Sequence, residues 1–346
     1  HLRVVFLFLS LMKNRFSATS RSSGTFCHRT KYFSVAIICQ HSIIISISGD
    51  EMFTGLCAFP LTPLHPHGVD ETAFARIVTR LVESEVDSLG VLGSTGSYAW
   101  LSREQRMQVV RQAKSHAGPI PLMVGIGALG TDQVLRLAED AQMAGASALL
   151  LPVMAYQPLT DEEILTFYQT VPQQVSVPVC VYDNPVTTRV TTSDELKGAI
   201  AALPGIASIK IPGPAKNETV RRIQSLRRQL PAGVSIGISG DACAADGLNA
   251  GCEVWYSVCG GLFPQVAKEI TAAAARGDAE QATAISARLA PLWMLFSKYG
   301  GSLRVTAAAA SILGLCGEDC LPRPLLPLSS DAFSEIAETL RTLKLL

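Results

Sequence analysis

The sequence lacks the patterns that mark several common protein classes. Its nine cysteines form no CxxC pair and its six histidines no HExxH motif, which disfavours a disulfide framework and a zinc site. Basic and acidic side chains both number 29, so no nucleic acid or anionic membrane surface is indicated as a partner. No apolar run reaches the roughly twenty residues of a membrane-spanning helix. We therefore expect no bound metal, no membrane and a reducing, cytoplasmic location.

Residues 1–51 differ in character from the rest of the chain. The first 48 contain no aspartate or glutamate and are rich in serine, a composition that is conceivable for a transit or signal peptide. A regular strand pattern begins just after Met52, however. We expect Met52 to be the natural start and residues 1–51 to be an extension outside the fold.

Residues 52–278 alternate short apolar runs with amphipathic stretches eight times. Runs of this kind, rich in Val, Ile and Leu, are typical of strands buried on both faces of a parallel sheet. Eight repeats predict an α/β fold of the (β/α)8 TIM-barrel type, and the alternative is a doubly wound sheet, which usually has fewer strands. The predicted strands are Gly55–Phe59, Ser88–Leu92, Pro121–Gly125, Ala148–Pro152, Pro178–Tyr182, Ala207–Lys210, Val234–Ser239 and Glu253–Val258.

Helical patterns fill the gaps and continue beyond the eighth run. Capping boxes at Ser102, Thr160 and Thr192 predict three of the helix starts. Residues 279–346 are expected to form a C-terminal helical appendix packed on the barrel, with helices over 279–299, 302–315 and 331–345.

The chemistry is expected at the carboxyl ends of the strands, where TIM barrels place their active sites. Lysine, tyrosine and hydroxyl side chains fall there, without a histidine, a thiol or a carboxylate pair. Lys210 ends an apolar strand, where burial penalises the charged ammonium and favours the neutral amine that a nucleophile needs. This inventory favours amine catalysis through an imine. The alternative for Lys210 is a structural lysine that extends to solvent.

One competing motif is Gly125-Ile-Gly-Ala-Leu-Gly130, which matches the GxGxxG pattern of dinucleotide-binding folds. Such sites also use an acidic residue at the end of the next strand, about twenty residues on. That strand ends in Leu149-Leu-Leu-Pro-Val-Met154 and has no acid. A nicotinamide-dependent dehydrogenase is therefore disfavoured.

Taken together, the motifs resemble those of the dihydrodipicolinate synthase and N-acetylneuraminate lyase family, the pyruvate-dependent class I aldolases. Gly93-Ser-Thr-Gly96 resembles the family's G[ST]TGE loop, and Tyr182-Asp-Asn-Pro185 its Tyr-Asn-x-Pro segment. Ile209-Lys210 resembles its Ile-Lys pair and Ser239-Gly-Asp241 its SGD turn. Tyr182 lies 28 residues before Lys210, which is the family's separation.

The resemblance, which covers nearly all of residues 52–346, implies a role for each matching residue. Lys210 would attack the ketone of pyruvate or another 2-oxo acid, and Tyr182 would act as general acid and base, linked through Ser94 to Tyr156. No cofactor is implied, and the partners are a 2-oxo acid, an aldehyde and further copies of the chain in a homotetramer, with Tyr156 crossing a subunit interface. The implied or candidate substrate-binding residues are Gly93, Thr95, Thr187, Arg189, Ser239, Gly240 and Asp241.

The sequence also departs from the family pattern. The synthase has an arginine five residues after the catalytic tyrosine, where this chain has Thr187, and Arg189 follows two residues later. The family's Gly-Glu pair is replaced by Gly96-Ser97. These changes predict an intact imine site beside an altered second-substrate site. True 4-hydroxy-tetrahydrodipicolinate synthase activity and a non-catalytic barrel that binds oxo acids remain as alternatives.

Overall fold

The computed structural model describes residues 52–215 and 218–346. The expected extension at residues 1–51 lies outside these residues. In the described part, eight parallel strands close into a barrel in chain order, with β1 pairing both β2 and β8. The strands are β1 Gly55–Ala58, β2 Ser88–Val91, β3 Leu122–Gly125, β4 Ala148–Pro152, β5 Val179–Tyr182, β6 Ile206–Ile211, β7 Ser235–Ile238 and β8 Val254–Ser257.

Within the described residues, eight longer helices surround the barrel, four more follow it, and a single-turn helix, Pro185–Thr188, lies after β5. The (β/α)8 fold with a C-terminal helical extension is thereby confirmed, and both ends of each predicted strand agree with the observed strand to within one residue. The helices are α1 Glu71–Glu83, α2 Arg103–Ala117, α3 Thr131–Met143, α4 Asp161–Thr170, α5 Asp194–Ala201, α6 Thr219–Arg227, α7 Ala244–Asn249, α8 Pro264–Ala275, α9 Ala279–Arg288, α10 Ala290–Lys298, α11 Ser302–Ile312 and α12 Ser330–Thr342.

Two local predictions need correction. The helix expected over 279–299 is interrupted at Leu289, and α10 begins anew with Pro291 in its first turn, where the missing N–H of proline is tolerated. The third predicted capping box is absent, because α5 begins one residue later than expected and Leu196, three residues after its cap, has no polar side chain to bond back. Ser193, not Thr192, caps α5 by accepting from the N–H of Leu196 at 3.1 Å. The boxes at Ser102 and Thr160 are present.

The core has two layers because successive strand residues point to opposite faces. Outward-facing side chains pack against the helices, and helices of the appendix join the same apolar cluster. Inward-facing side chains, among them Cys57, Met123 and Leu150, fill the barrel. Within the two described ranges, no helix combines the length and the apolar composition needed to cross a membrane.

Candidate active site

A cavity of about 730 Å³ opens at the carboxyl ends of the strands, within the usual size range of small-molecule sites. Loops after the strands form its base, and residues of α10 and α11 form one wall. The structure brings nine of the eleven predicted site residues to this cavity. They are Ser94, Thr95, Tyr182, Thr187, Arg189, Lys210, Ser239, Gly240 and Asp241.

Lys210 projects into the barrel from the end of β6. Its side chain faces inward because the alternation of β6 turns Ile209 and Ile211 toward the helices. The residue is 5% exposed. Its Nζ lies 4.3 Å from the ring centroid of Phe59 and 4.9 Å from that of Tyr182. The amine is thus held in an aromatic enclosure at the base of the cavity.

Glycines make room for the rings around this amine. A Cβ at Gly90 or Gly93 would lie 2.5 or 2.6 Å from the Phe59 ring. At Gly237, beside Lys210 on β7, a Cβ would come within 2.0 Å of the Tyr256 ring. Gly93 itself is not among the residues that line the cavity. Its contribution here is to the packing of Phe59.

A second buried lysine shows by contrast what distinguishes Lys210. Lys197, on α5, is also buried, but its Nζ forms a salt bridge with Asp183 at 3.1 Å and donates to the Thr192 carbonyl at 2.6 Å. Lys210 forms no salt bridge within the described residues. A buried lysine without a carboxylate partner is costly to keep for structural reasons alone. The position of Lys210 therefore favours a chemical role.

Tyr182 stands directly beside Lys210 because the two residues pair across β5 and β6. Its hydroxyl lies 3.1 Å from Ser94 Oγ and accepts from Asn184 Nδ2 at 2.8 Å. The predicted link between Tyr182 and Ser94 is present. The Tyr182 phenol is 5% exposed and is hydrogen-bonded to the Ser94 hydroxyl. It can therefore pass a proton between a substrate in the cavity and Ser94.

The thiols of the barrel interior are poor candidates for the nucleophile. Burial raises the pKa of Cys57 to about 12 and that of Cys180 to about 11. Both are therefore protonated near neutral pH, and a protonated thiol is unreactive. The Cys180 thiol also donates to the Tyr256 hydroxyl at 3.3 Å. Of the inward-facing groups near the cavity base, the Lys210 amine is the suitable nucleophile.

Asp241 lines the cavity, but its carboxylate is engaged elsewhere. It accepts from Trp255 Nε1 at 3.1 Å, Ser257 Oγ at 3.0 Å and the N–H of Cys259 at 2.8 Å. Burial raises the pKa of this carboxyl, although these bonds and Lys210 oppose the shift. Asp241 thus fixes the Ser-Gly-Asp turn after β7 against the end of β8.

Tyr156 lies apart from this arrangement within a single chain. It is 85% exposed and does not line the cavity, so its proposed link to Ser94 is not formed inside one subunit.

Sequence reasoning also missed several lining residues. Tyr256 could have been found from the inward parity of β8, whereas Tyr98 and Arg304 lie away from any strand end. The cavity residues not predicted include Phe59, Tyr98, Tyr256, Trp293, Phe296 and Arg304.

The glycines of the GxGxxG segment have a packing explanation. A Cβ at Gly125 would lie 1.9 Å from the Leu92 carbonyl oxygen, and one at Gly127 would lie 2.4 Å from Pro152 and 2.8 Å from the Tyr98 ring. Both glycines allow the loop after β2 to approach β3. This explains the motif without a dinucleotide.

A parallel (β/α)8 barrel with a buried, unpaired lysine beside a tyrosine at its mouth is the arrangement of the class I, Schiff-base aldolases. Comparison with known proteins agrees with this class. The sequence model described as the Dihydrodipicolinate synthetase family matches residues 52–343. The chain belongs to this family, which confirms the resemblance seen in the motifs. It is accordingly a lyase of the class I aldolase type, which forms a Schiff base with pyruvate or a related 2-oxo acid.

Individual relatives agree with the family assignment. The 4-hydroxy-tetrahydrodipicolinate synthase of Alkalilimnicola ehrlichii is 29% identical over 292 residues, which are 84% of this chain and 98% of that protein. The same enzyme of Methylibium petroleiphilum is 30% identical, over 83% of this chain and 96% of its own. The crystal structure of dihydrodipicolinate synthase from Agrobacterium tumefaciens strain C58 is 43% identical, with a TM-score of 0.83, and the match covers 86% of this chain and all of that one.

Proposed function

We propose that Lys210 is the residue that forms the Schiff base and that Tyr182 is its general acid and base. The observation that carries this proposal is the buried Lys210 amine, free of any salt bridge within the described residues, directly beside the Tyr182 phenol. The Tyr182 hydroxyl is in turn joined to Ser94 Oγ at 3.1 Å. The proposed nucleophile Lys210, the proton carrier Tyr182 and the relay hydroxyl of Ser94 therefore lie next to one another.

The reaction starts with attack of the neutral Lys210 amine on the keto carbon of the 2-oxo acid. Tyr182 delivers a proton to the keto oxygen, and loss of water then leaves a protonated imine. The imine withdraws electrons, so C3 can lose a proton to the Tyr182 phenolate and give an enamine. The enamine carbon bonds to the aldehyde carbon while Tyr182 returns the proton to the aldehyde oxygen, and hydrolysis of the new imine by water releases the product and the free amine. The reverse sequence is a retro-aldol cleavage.

The loop after β2 is proposed to bind the carboxylate of the 2-oxo acid. Ser94 and Thr95 line the cavity on the Tyr182 side, and backbone N–H groups of a tight glycine-containing turn can hold an anion. Ser239 and Gly240 also line the cavity. Thr187 occupies the position of the synthase arginine. We therefore propose an aldehyde partner that is held differently from that of the synthase.

Trapping with borohydride tests the proposed nucleophile. Incubation with pyruvate and borohydride should add the mass of one reduced pyruvyl group per chain, and peptide mapping should place it on Lys210. The Lys210→Ala variant should remain unmodified, while Lys114→Ala, which removes an exposed lysine of α2, should be labelled like the wild type. Absence of any increment with pyruvate and a panel of 2-oxo acids would favour the non-catalytic barrel instead.

We further propose a homotetramer made of two tight dimers, in which Tyr156 reaches the site of a neighbouring subunit. Its 85% exposure and the exposed side chains of Trp100 and Leu129 support an interface near the loops after β2, β3 and β4. Oligomeric state varies among similar proteins, because one structure that is 26% identical is described as a monomeric dihydrodipicolinate synthase variant. Native mass spectrometry should show four subunits, and a single subunit would refute the proposal.

A cytoplasmic location is proposed from the state of the cysteines. Six cysteines of the described ranges are free thiols, which suits a reducing compartment: Cys57, Cys180, Cys252, Cys259, Cys316 and Cys320. Fractionation of cells that express the chain should recover it with cytoplasmic markers. Recovery with an exported fraction would contradict this part of the proposal.

A further inference from the structure

The charge of the cavity wall is strongly one-sided. Two arginines line it, Arg189 and Arg304, in addition to the Lys210 amine, against the single carboxylate of Asp241. That carboxylate is buried and accepts three hydrogen bonds from residues of β8 and the loop after it. The two arginines thus face the cavity without a neutralising acid among its lining residues. If the Ser94 loop binds the carboxylate of the 2-oxo acid, neither arginine is needed to bind that carboxylate.

Arg304 is the better placed of the two arginines. It belongs to the first turn of α11, is half-buried, and makes no hydrogen bond or salt bridge with any described residue. Glu335 accepts from the hydroxyl of Tyr299, which lines the cavity, and from the Lys298 ammonium, and it forms no bond with Arg304. Arg189 is exposed at the rim.

The surroundings of Arg304 favour a planar anion. Rings of Trp293, Phe296 and Tyr299 line the same wall, and the first two lie with their centroids 5.7 Å apart. A guanidinium binds one carboxylate through two parallel hydrogen bonds, and an apolar wall strengthens such a pair by excluding water. A single half-buried arginine provides the donors for one carboxylate.

We propose that the substrates bring a second carboxylate into the cavity, distal to the 2-oxo group, and that Arg304 binds it. This inference rests on the proposed function, because it takes the imine at Lys210 as the fixed end of the ligand. It makes Arg304, in the C-terminal appendix, a specificity-determining residue. The second carboxylate can belong to the aldehyde or to the far end of a longer 2-oxo acid.

The first arm of the test compares imine trapping of 2-oxoglutarate and 2-oxopentanoate, which have the same chain length and differ in the distal carboxylate. Wild-type protein should reach half-maximal labelling at a concentration about tenfold lower for 2-oxoglutarate, the factor expected for one charge-assisted hydrogen bond. Arg304→Gln should bring the ratio close to one, Arg304→Lys should retain part of it, and all variants should still be labelled by pyruvate.

The second arm locates the carboxylate. Consumption of pyruvate is followed after addition of 4-oxobutanoate or of butanal. If the wild type consumes pyruvate faster with 4-oxobutanoate and Arg304→Gln does not, the second carboxylate belongs to the aldehyde. If the wild type prefers 2-oxoglutarate in the first arm but shows no preference between the two aldehydes, the second carboxylate belongs to the 2-oxo acid. Arg276→Gln, which removes an exposed arginine at the end of α8, is the control and should behave as wild type.

The outcomes are distinguishable from failure of the proposed function. If pyruvate labels Lys210 but both arms show equal ratios in wild type and Arg304→Gln, the inference is wrong and the Schiff-base chemistry stands. If no 2-oxo acid labels the wild type, the proposed function fails and the inference falls with it.

Discussion

At the residue scale, the arrangement depends on strand register. Pairing of Tyr182 with Lys210 across β5 and β6 sets the phenol beside the amine, and a shift of β5 by one residue would turn the Tyr182 side chain toward the helices. The hydrogen bonds of Tyr182 with Ser94 and Asn184 then fix the hydroxyl. The proton carrier is therefore positioned before any substrate binds, which lowers the cost of reaching the reactive geometry.

We predict that Tyr182→Phe slows formation of the pyruvate adduct about a hundredfold, since the variant loses its proton carrier but keeps the ring. The rate is measured by quenching with borohydride at increasing times. Tyr168→Phe is the matched control, because it removes a buried hydroxyl that donates to the Leu151 carbonyl at 3.0 Å outside the cavity. Its labelling rate should be unchanged. A wild-type rate in Tyr182→Phe would remove Tyr182 from the mechanism.

The sequence placed Lys210, Tyr182 and Ser94 at the strand ends that surround the cavity, because each follows or ends an apolar run, where barrels place their chemistry. Phe59 and Tyr256 were missed because an aromatic residue in such a run is equally compatible with plain core packing. Arg304 could not be found in this way. It reaches the cavity from the appendix, and how a helix outside the repeat packs on the barrel is a tertiary property that the local pattern does not contain.

At the scale of elements, glycines set how closely the loops after the strands approach one another. Gly125 at the end of β3 lies against the Leu92 carbonyl of the loop after β2, and that loop carries Ser94 and Thr95. The absence of an acidic residue after the next strand argues against a dinucleotide at the GxGxxG segment, and the close distances at Gly125 give its glycines a packing role.

We predict that Gly125→Ala lowers the free energy of unfolding by about 3 kcal/mol, because the new Cβ would meet backbone that cannot rotate away. Chemical denaturation measures the effect. Gly233→Ala is the control, since a Cβ there has nothing within 4 Å, and it should change stability by less than about 0.5 kcal/mol. Equal stability of the two variants would contradict the close approach.

At the scale of the whole molecule, the appendix is part of the site as well as of the core. Leu292, Val305 and Ile336 are buried in the same apolar cluster as the barrel strands and helices, while Trp293 and Arg304 line the cavity. The sequence correctly indicated helices packed on the barrel. Their contribution to the active-site wall was not predicted, because the helix pattern does not say which face meets the strand ends.

We predict that residues 52–346 suffice for the fold and for labelling of Lys210, whereas residues 52–278 do not. Removal of the appendix would expose the apolar surface that α9 to α12 cover, at roughly 25 cal/mol per Å². Circular dichroism and pyruvate trapping on both fragments check this. A folded, labelled 52–278 fragment would show that the barrel stands alone, and an unfolded 52–346 fragment would show that residues 1–51 are required.

The most direct measurement is a crystal structure of the protein soaked with pyruvate. Continuous density should run from Lys210 Nζ to the keto carbon, with the Tyr182 hydroxyl close to that carbon and the carboxylate on the N–H groups of the Ser94 loop. Pyruvate bound without a covalent bond, or a Lys210 side chain directed into solvent, would contradict the account.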